Sequence, residues 1–331
     1  MLMKLANILD QLDLASEHMG KPDLSDSRFA LMLTDNVVEL MLHQIAKDKK
    51  SEIMAWRHLR DNYNNLPALE NALKRHFGAK IKFARDENKI SEEQAKTFSI
   101  MHDFRNEVYH IGISHERILP TIAKFYLDVA GRWLATYDPL YMGWMSGQKL
   151  PTRAMKYFSE ALFFSGSTDQ YRTACLRLAE SAGHDPASVG PELAAHMSEV
   201  IEDTDRSIDI IANDGPNKTT RVQAIIDCQA WPLAFTPEGE KFLKDSKWKG
   251  DNPFQAVEWI AQNYPLKFRL DPIRTWNGRA QRLQRERNPH AALEKYRGFM
   301  DQTSDLREHL DEAAAHVEAW VDSEIDRRRG K

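Results

Sequence analysis

Apolar residues recur at spacings of three and four along most of this chain, the pattern that gives a helix one buried face. The clearest case lies between Ser91 and Gly112. Ser91-Glu92-Glu93-Gln94 has the form of a capping box, in which the two end residues bind each other's backbone amides. Gly112 suits a helix end, because glycine readily takes the left-handed conformation there. No stretch alternates with the period of a strand, so the pattern predicts an all-α protein.

Two helices are expected earlier in the chain. A helix from about residue 25 to 49 should bury Phe29 and Leu40 and present Glu39 beside that face. Pro67 is well placed to open a second helix, because proline fits the first helical turn. That helix is expected to run through Phe77 and to end at Gly78.

Length and composition bound the class of protein. The 331 residues suffice for two domains, and the formal net charge of −4 argues against a protein that coats nucleic acid non-specifically. No apolar run approaches the roughly 20 residues that span a bilayer, and the acidic Asp10 and Asp13 do not suit a secretory signal. Cys175 and Cys228 lie far apart, so we expect reduced thiols in a cytoplasmic protein.

Residues 141–151 are the best candidate for a linker, because they contain two glycines and a proline. The sequence therefore predicts a helical bundle over residues 1–145. A second, mainly helical domain of unknown role is predicted over residues 152–331.

The helix after Ser91 carries a polar stripe beside its apolar one. His102, Asn106 and His110 recur every four residues, with Arg105 and Tyr109 next to them. The run Arg105-Asn106-Glu107-Val108-Tyr109-His110 resembles the R-x4-6-H signature of the HEPN superfamily, small helical domains that include metal-independent ribonucleases. A second match, from Arg285 to His290, is excluded because Pro289 cannot lie inside a continuous helix.

The resemblance implies a role for each residue of the stripe. His110 would act as general base or acid and Arg105 would hold the phosphate, tasks that suit a titratable imidazole and a planar cation. Asn106 would orient His110 or contact the phosphate. Supporting positions fall to Tyr109, which could stack on a base, to His102, and to Glu39 from the earlier helix. The resemblance also implies a homodimer, with two such helices facing each other across a twofold axis.

A basic stretch in the second half interleaves cations with aromatic rings, as phosphate binding and base stacking require. Its candidate nucleic-acid-binding residues are Lys267, Arg269, Arg274, Trp276, Arg279 and Arg282. The alternative is a solvated helix face that pairs with the acidic stretch at residues 192–214.

The sequence thus favours a metal-independent endoribonuclease that cleaves RNA by attack of the 2′-hydroxyl, in a toxin–antitoxin or phage-defence setting. Its expected partners are RNA, a second copy of the chain and an antitoxin or regulatory protein, with no membrane, metal or cofactor. Two alternatives stay open: a non-catalytic HEPN-type scaffold for dimerisation or nucleotide binding, and a DNA-binding regulator acting through the second half. Taken singly, Arg105 also fits an exposed surface residue, and His110 fits a histidine favoured by the helix dipole.

Overall fold

The structure is a computed structural model that describes residues 1–56, 62–110, 117–141, 143, 149–158, 167–250 and 252–330, without the side chains of residues 108–110. These residues form fourteen helices and no strand, which confirms the predicted all-α class. In the first half the helices are α1 (Leu2–Met19), α2 (Leu24–Ala55), α3 (Leu66–Ala72), α4 (Phe77–Asp86), α5 (Glu92–His110), α6 (Leu119–Leu134) and α7 (Thr152–Met155). In the second half they are α8 (Ser167–Ser181), α9 (Pro186–Asn213), α10 (Arg221–Ala234), α11 (Pro237–Asp245), α12 (Pro253–Asn263), α13 (Ile273–Gln284) and α14 (Pro289–Arg328).

Contacts divide the chain into two compact units. The first unit is Met1–Leu193 with Glu286–Glu294, and the second unit is Ala194–Arg285 with Lys295–Lys331. Helices α7 and α8, which follow the predicted linker, pack against α1 in the first unit. The linker residues 142 and 144–148 lie outside the described residues, and the domains 1–145 and 152–331 stay predictions.

Helix α2 is the centre of the first unit, because α1, α4, α5 and α6 all pack against it. Helix α6 in turn packs closely on α8 at Gly131, where a Cβ would lie only 2.9 Å from the Cβ of Ala179 and from the carbonyl oxygen of Cys175. A helix that is contacted on several sides has more than one buried face. The prediction for α2 is accordingly wrong in part: Phe29 and Leu40 are exposed, and the buried residues include Thr34 and Asp35.

Helix α5 begins as predicted. Ser91 Oγ accepts a hydrogen bond from the amide of Gln94 at 3.1 Å, and Gln94 Oε1 accepts one from the amide of Ser91 at 3.0 Å, so the capping box is formed. The buried face of α5 includes Phe98, Met101 and Phe104. The helix runs unbroken to His110, and Gly112 lies outside the described residues.

The helix predicted from Pro67 to Gly78 is instead two helices, α3 and α4. Phe77 opens α4 rather than closing α3, and Gly78 lies in the first turn of α4. This matters for the site, because the new helix brings Phe77 and Lys80 against α2 and α5. Pro289 is the first residue of α14, so the segment from Arg285 to His290 is not one helix, as expected.

In the second unit, α10, α11 and α12 enclose a small core of their own, formed by Ala230, Leu243, Ala256, Val257, Ile260 and Ala261. Threonine or asparagine side chains cap all three helices. Thr220 caps α10, Thr236 caps α11 as its Thr-Pro-Glu start suggests, and Asn252 caps α12. Across the described ranges, no helix is both long and apolar enough to cross a membrane.

Candidate active site

A buried carboxylate joins three helices of the first unit. Asp35 on α2 is fully buried, and its Oδ1 accepts a hydrogen bond from the hydroxyl of Tyr126 on α6 at 2.9 Å. Its Oδ2 lies 2.9 Å from Nδ1 of His102 and 3.7 Å from Nε of Arg105, both on α5. A carboxylate is costly to bury unless donors and cations satisfy it. Asp35 therefore ties α2 and α6 to the polar stripe of α5.

The imidazole of His102 is held on two sides. Its Nδ1 faces Asp35, and its ring stacks on Phe77 with centroids 3.8 Å apart and an angle of 3° between the planes. Because a carboxylate accepts hydrogen bonds, Asp35 favours the tautomer that carries its proton on Nδ1. The other nitrogen, Nε2, is then an acceptor, which is the state that a general base requires.

Arg105 combines a fixed edge with an accessible one. Its Nη1 donates to Oδ1 of Asn106 at 2.8 Å, whereas its buried Nε lies 3.7 Å from Oδ2 of Asp35 and makes no hydrogen bond within the described residues. The side chain is 34% exposed. A guanidinium held along one edge and open to solvent elsewhere can receive phosphate oxygens without losing its orientation.

A second ion pair lies one turn farther along α2. Lys80 on α4 is buried, and its Nζ donates to Oε1 of Glu39 at 2.6 Å and to the carbonyl oxygen of Arg75 at 3.1 Å. Glu39, predicted as a supporting residue, is thus engaged with α4. Asp35 and Glu39 are four residues apart, so their carboxylates lie on one line of α2.

His43 continues this line along α2. Burial lowers the pKa of its imidazole, and the nearby charges of Lys47, Lys80 and Lys4 lower it further, although a hydrogen bond with the backbone of Ala72 opposes this. Its Nδ1 is buried and makes no hydrogen bond within the part of the chain that the structure describes. His43 is therefore a neutral imidazole at neutral pH.

Tyr126 acts as a hydrogen-bond donor in this network. Burial raises the pKa of its phenol well above the ordinary value, and the adjacent charge of Asp35 raises it further. The hydroxyl consequently stays protonated at neutral pH and donates to Asp35.

The predicted stripe is brought together in part. His102 and Arg105 lie beside Asp35 and Asn106 contacts Arg105, whereas the side chains of Tyr109 and His110 lie outside the described residues. On an unbroken helix, positions 105 and 110 are about 140° apart around the axis, and position 102 falls between them, about 60° from 105 and about 80° from 110. The geometry thus gives His102 a more central place than the motif does.

Sequence reasoning did not identify Asp35, although a signal was present. Asp35, Glu39 and His43 recur at intervals of four, so they form a polar line on one helix face. The prediction instead chose Glu39, which lies beside the apolar face of that helix, as the supporting residue. The signal was an acid inside an apolar stripe, followed by a titratable residue on each of the next turns. That pattern would have identified Asp35.

Some side chains of the basic stretch in the second unit are held by packing and hydrogen bonds within the fold. Trp276 is buried edge-on between Phe268 and Phe299, so its ring is part of a core. Arg269 donates to the carbonyl oxygens at the end of α12. Arg279 lies over Phe299 and donates to Gln302. The exposed cations of the predicted set are Lys267, Arg269, Arg274 and Arg282, although Arg269 is held by the carbonyl contacts just given.

The described residues contain no group of three histidine, cysteine or acidic side chains that is placed to hold a metal ion. The chain matches no protein-family model, no curated protein and no solved structure. The resemblance to the HEPN superfamily therefore depends on the motif at residues 105–110 alone.

Proposed function

We propose that this protein is a metal-independent endoribonuclease whose site lies along α5. One observation supports the proposal above the others: the buried carboxylate of Asp35 contacts both the imidazole of His102 and the guanidinium of Arg105. An oriented imidazole and an oriented cation are the two groups that metal-independent cleavage of RNA requires.

The proposed reaction uses two proton transfers. A base removes the proton of the 2′-hydroxyl, and the resulting oxygen attacks the adjacent phosphorus. The bond between phosphorus and O5′ breaks, and O5′ takes a proton from an acid. The products are a 2′,3′-cyclic phosphate and a 5′-hydroxyl end.

Each residue of the stripe has a place in this scheme. His102 is the base, because the contact of Nδ1 with Asp35 favours the tautomer in which Nε2 is the proton acceptor. His110 is the acid that protonates O5′, and Arg105 stabilises the charge that develops on the phosphate. Asn106 holds the Nη1 edge of Arg105. Asp35 is a positioning residue that acts through His102 and Arg105.

The assembly and setting of the enzyme are part of the proposal. We propose a homodimer that places each α5 beside its copy, with RNA as substrate and an antitoxin or regulatory protein as a further partner in a toxin–antitoxin or phage-defence system. An isologous contact of this kind would put both copies of the motif in one cleft.

The test uses purified protein, mixed tRNA and mRNA, and excess EDTA. Variants His102→Ala, Arg105→Ala and His110→Ala are compared with wild type, and His316→Ala serves as the control because His316 is exposed in the second unit. Cleavage by wild type and control only, with 2′,3′-cyclic phosphate ends, supports the proposal. Cleavage by all five proteins would show that the wrong residues were chosen. No cleavage, with every protein folded, would favour a non-catalytic scaffold.

A further inference from the structure

Three aromatic rings form an exposed cluster on the second unit. None of them has a role in the proposed nuclease. Phe235 and Phe254 are each 64% exposed, and Trp231 is 41% exposed. The ring of Trp231 lies 6.2 Å from that of Phe235 and 5.6 Å, edge to face, from that of Phe254. Single exposed apolar residues are ordinary, but a contiguous cluster of large ones marks an interaction surface.

The cluster closes one end of a cleft between α10 and α12. The cleft has a volume of about 400 Å³, and Ile226, Val257 and Ala261 supply its apolar lining. Trp231 and Phe254 line it at the aromatic end, so the cleft and the cluster are continuous. Helices α10 and α12 also pack with α11 around the small core described above, so this surface lies on a packed part of the second unit.

Acidic side chains outnumber cations in the lining of the cleft. Asp227 on α10 and Glu258 on α12 both line it, and among the described residues neither forms an ion pair. Burial raises the pKa of the Asp227 carboxyl, and the charge of Glu258 raises it further, although a hydrogen bond from Gln223 at 2.8 Å opposes this. The guanidinium of Arg269, which also lines the cleft, is engaged with backbone carbonyls of Ala261 and Tyr264.

The spacing between the aromatic residues and the acidic residues defines which ligand could bind both. Asp227 precedes Trp231 by four residues on α10, and Phe254 precedes Glu258 by four residues on α12. The apolar and acidic parts of the surface are therefore one helical turn apart on both walls. A ligand segment with an apolar side chain and a cation separated by one turn would match both parts at once.

We propose that this cleft, lined by α10 and α12, docks an amphipathic basic helix of a partner protein. An aromatic or aliphatic residue of the partner enters the Trp231, Phe235 and Phe254 cluster, and a lysine or arginine one turn away lies between Asp227 and Glu258. A second copy of this chain is a poorer occupant, because an isologous contact would set the acidic pair beside its own copy. The acidic pair also disfavours an anionic lipid surface.

The probes are two synthetic amphipathic helical peptides with the same leucine pattern, one with lysine and one with glutamate on its polar face. Binding to the full chain is measured by fluorescence anisotropy of the labelled peptide. We expect the lysine peptide to bind, and Phe254→Ser and the double variant Asp227→Asn with Glu258→Gln each to weaken it by about tenfold. Leu270→Ser and Glu240→Gln are the controls, since both residues are exposed and lie outside the cleft.

Three results would overturn this inference. The first is equal binding of the two peptides, which would remove the charge argument. The second is an affinity that the cleft variants leave unchanged while their circular dichroism shows an intact fold. The third is a change in sedimentation of Phe254→Ser toward a smaller species, which would assign the cluster to self-association.

Discussion

Asp35 and His102 are 67 positions apart in the sequence, yet Oδ2 of one lies 2.9 Å from Nδ1 of the other in the interior of the first unit. The same carboxylate lies 3.7 Å from Nε of Arg105, so one buried group orients the imidazole by a hydrogen bond and attracts the guanidinium by its charge. Because α2 supplies the carboxylate and α5 supplies its partners, the packing of these two helices determines the geometry of the candidate site.

Replacing Asp35 by asparagine tests its positioning role. The amide would present a donor to His102 or to Tyr126, so we expect the free energy of unfolding in urea to fall by about 1–3 kcal/mol. Cleavage should fall by about tenfold or more, because the neutral tautomer of His102 is no longer fixed, and its pH profile should change shape. Asp26→Asn is the matched control, since Asp26 also pairs with a histidine, His18, at 2.5 Å in the same unit. Cleavage that survives Asp35→Asn with an unchanged pH profile would remove Asp35 from the mechanism.

Arg105 distinguishes a phosphate-binding role from a structural one. We expect Arg105→Ala to lower the single-turnover rate of RNA cleavage by about 100-fold and Arg105→Lys to restore little of it, because an ammonium cannot make two parallel hydrogen bonds. Because Arg105→Ala also removes a cation from beside the buried Asp35, we expect the free energy of unfolding in urea to fall by about 1 kcal/mol, less in Arg105→Lys. Arg172→Lys, at an exposed ion pair with Asp138, should keep the wild-type rate. Full activity in Arg105→Lys would argue against bidentate binding.

The Glu39 and Lys80 pair should behave as a coupled unit. Lys80→Met leaves Glu39 without its buried partner, so we expect a loss of about 1–3 kcal/mol in urea unfolding, less than for a fully buried pair because Glu39 is partly exposed. The double variant with Glu39→Leu should recover part of that loss, giving a positive coupling energy in a double-mutant cycle. Lys82→Met, which breaks an exposed pair with Asp86 on the same helix, should cost about 0.5 kcal/mol or less. Strict additivity would mean that the two side chains do not interact.

Stability should decrease as the pH falls below about 6.5, because two partly buried histidines of the first unit resist protonation. Burial lowers the pKa of His184 and of His290, whose rings both contact Phe125. The unfolded chain then binds protons first, so the free energy of unfolding falls by up to about 1.4 kcal/mol per pH unit for each histidine in this window. The acidic groups near them, Glu93, Asp128 and Asp185, and the basic Arg132 modify this slope without changing its sign.

The check on this slope is urea unfolding at several pH values above the range in which carboxylates titrate. His290→Gln should reduce the slope, whereas His316→Gln, at an exposed position, should leave it as in wild type. A slope that is the same in all three proteins would show that His290 is not its source.

Local signals predicted the helices well. The capping box at Ser91 and the Thr-Pro start at Thr236 are formed by residues adjacent in sequence, so their chemistry is visible without the fold. Burial was harder to predict where neighbours decide it. Phe29 lies on an apolar stripe of α2 but is 51% exposed, because the helices that cover α2 lie against other sides of it.

In the candidate site too, features set by neighbours in sequence were predicted and features set by helix packing were not. The motif drew attention to Arg105 and Asn106, which do contact each other, and Glu39 was placed correctly on the helix that packs beside α5. Asp35 was missed because its role exists only when α2 and α5 are paired. The predicted stacking role of Trp276 is disfavoured for a related reason: the basic stretch gives no sign that Phe268 and Phe299 enclose that ring.

The capping box of α5 makes the site sensitive to insertions and deletions in the first part of this helix. Ser91 fixes where the helix starts, and each residue added or removed between Ser91 and His102 would rotate the rest of α5 by about 100°. A single-codon insertion or deletion there would turn His102 and Arg105 away from Asp35, even if every other residue were kept. Substitutions at exposed positions in the same interval, such as Glu92, leave that phase unchanged. The segment should therefore tolerate changes of residue far better than changes of length.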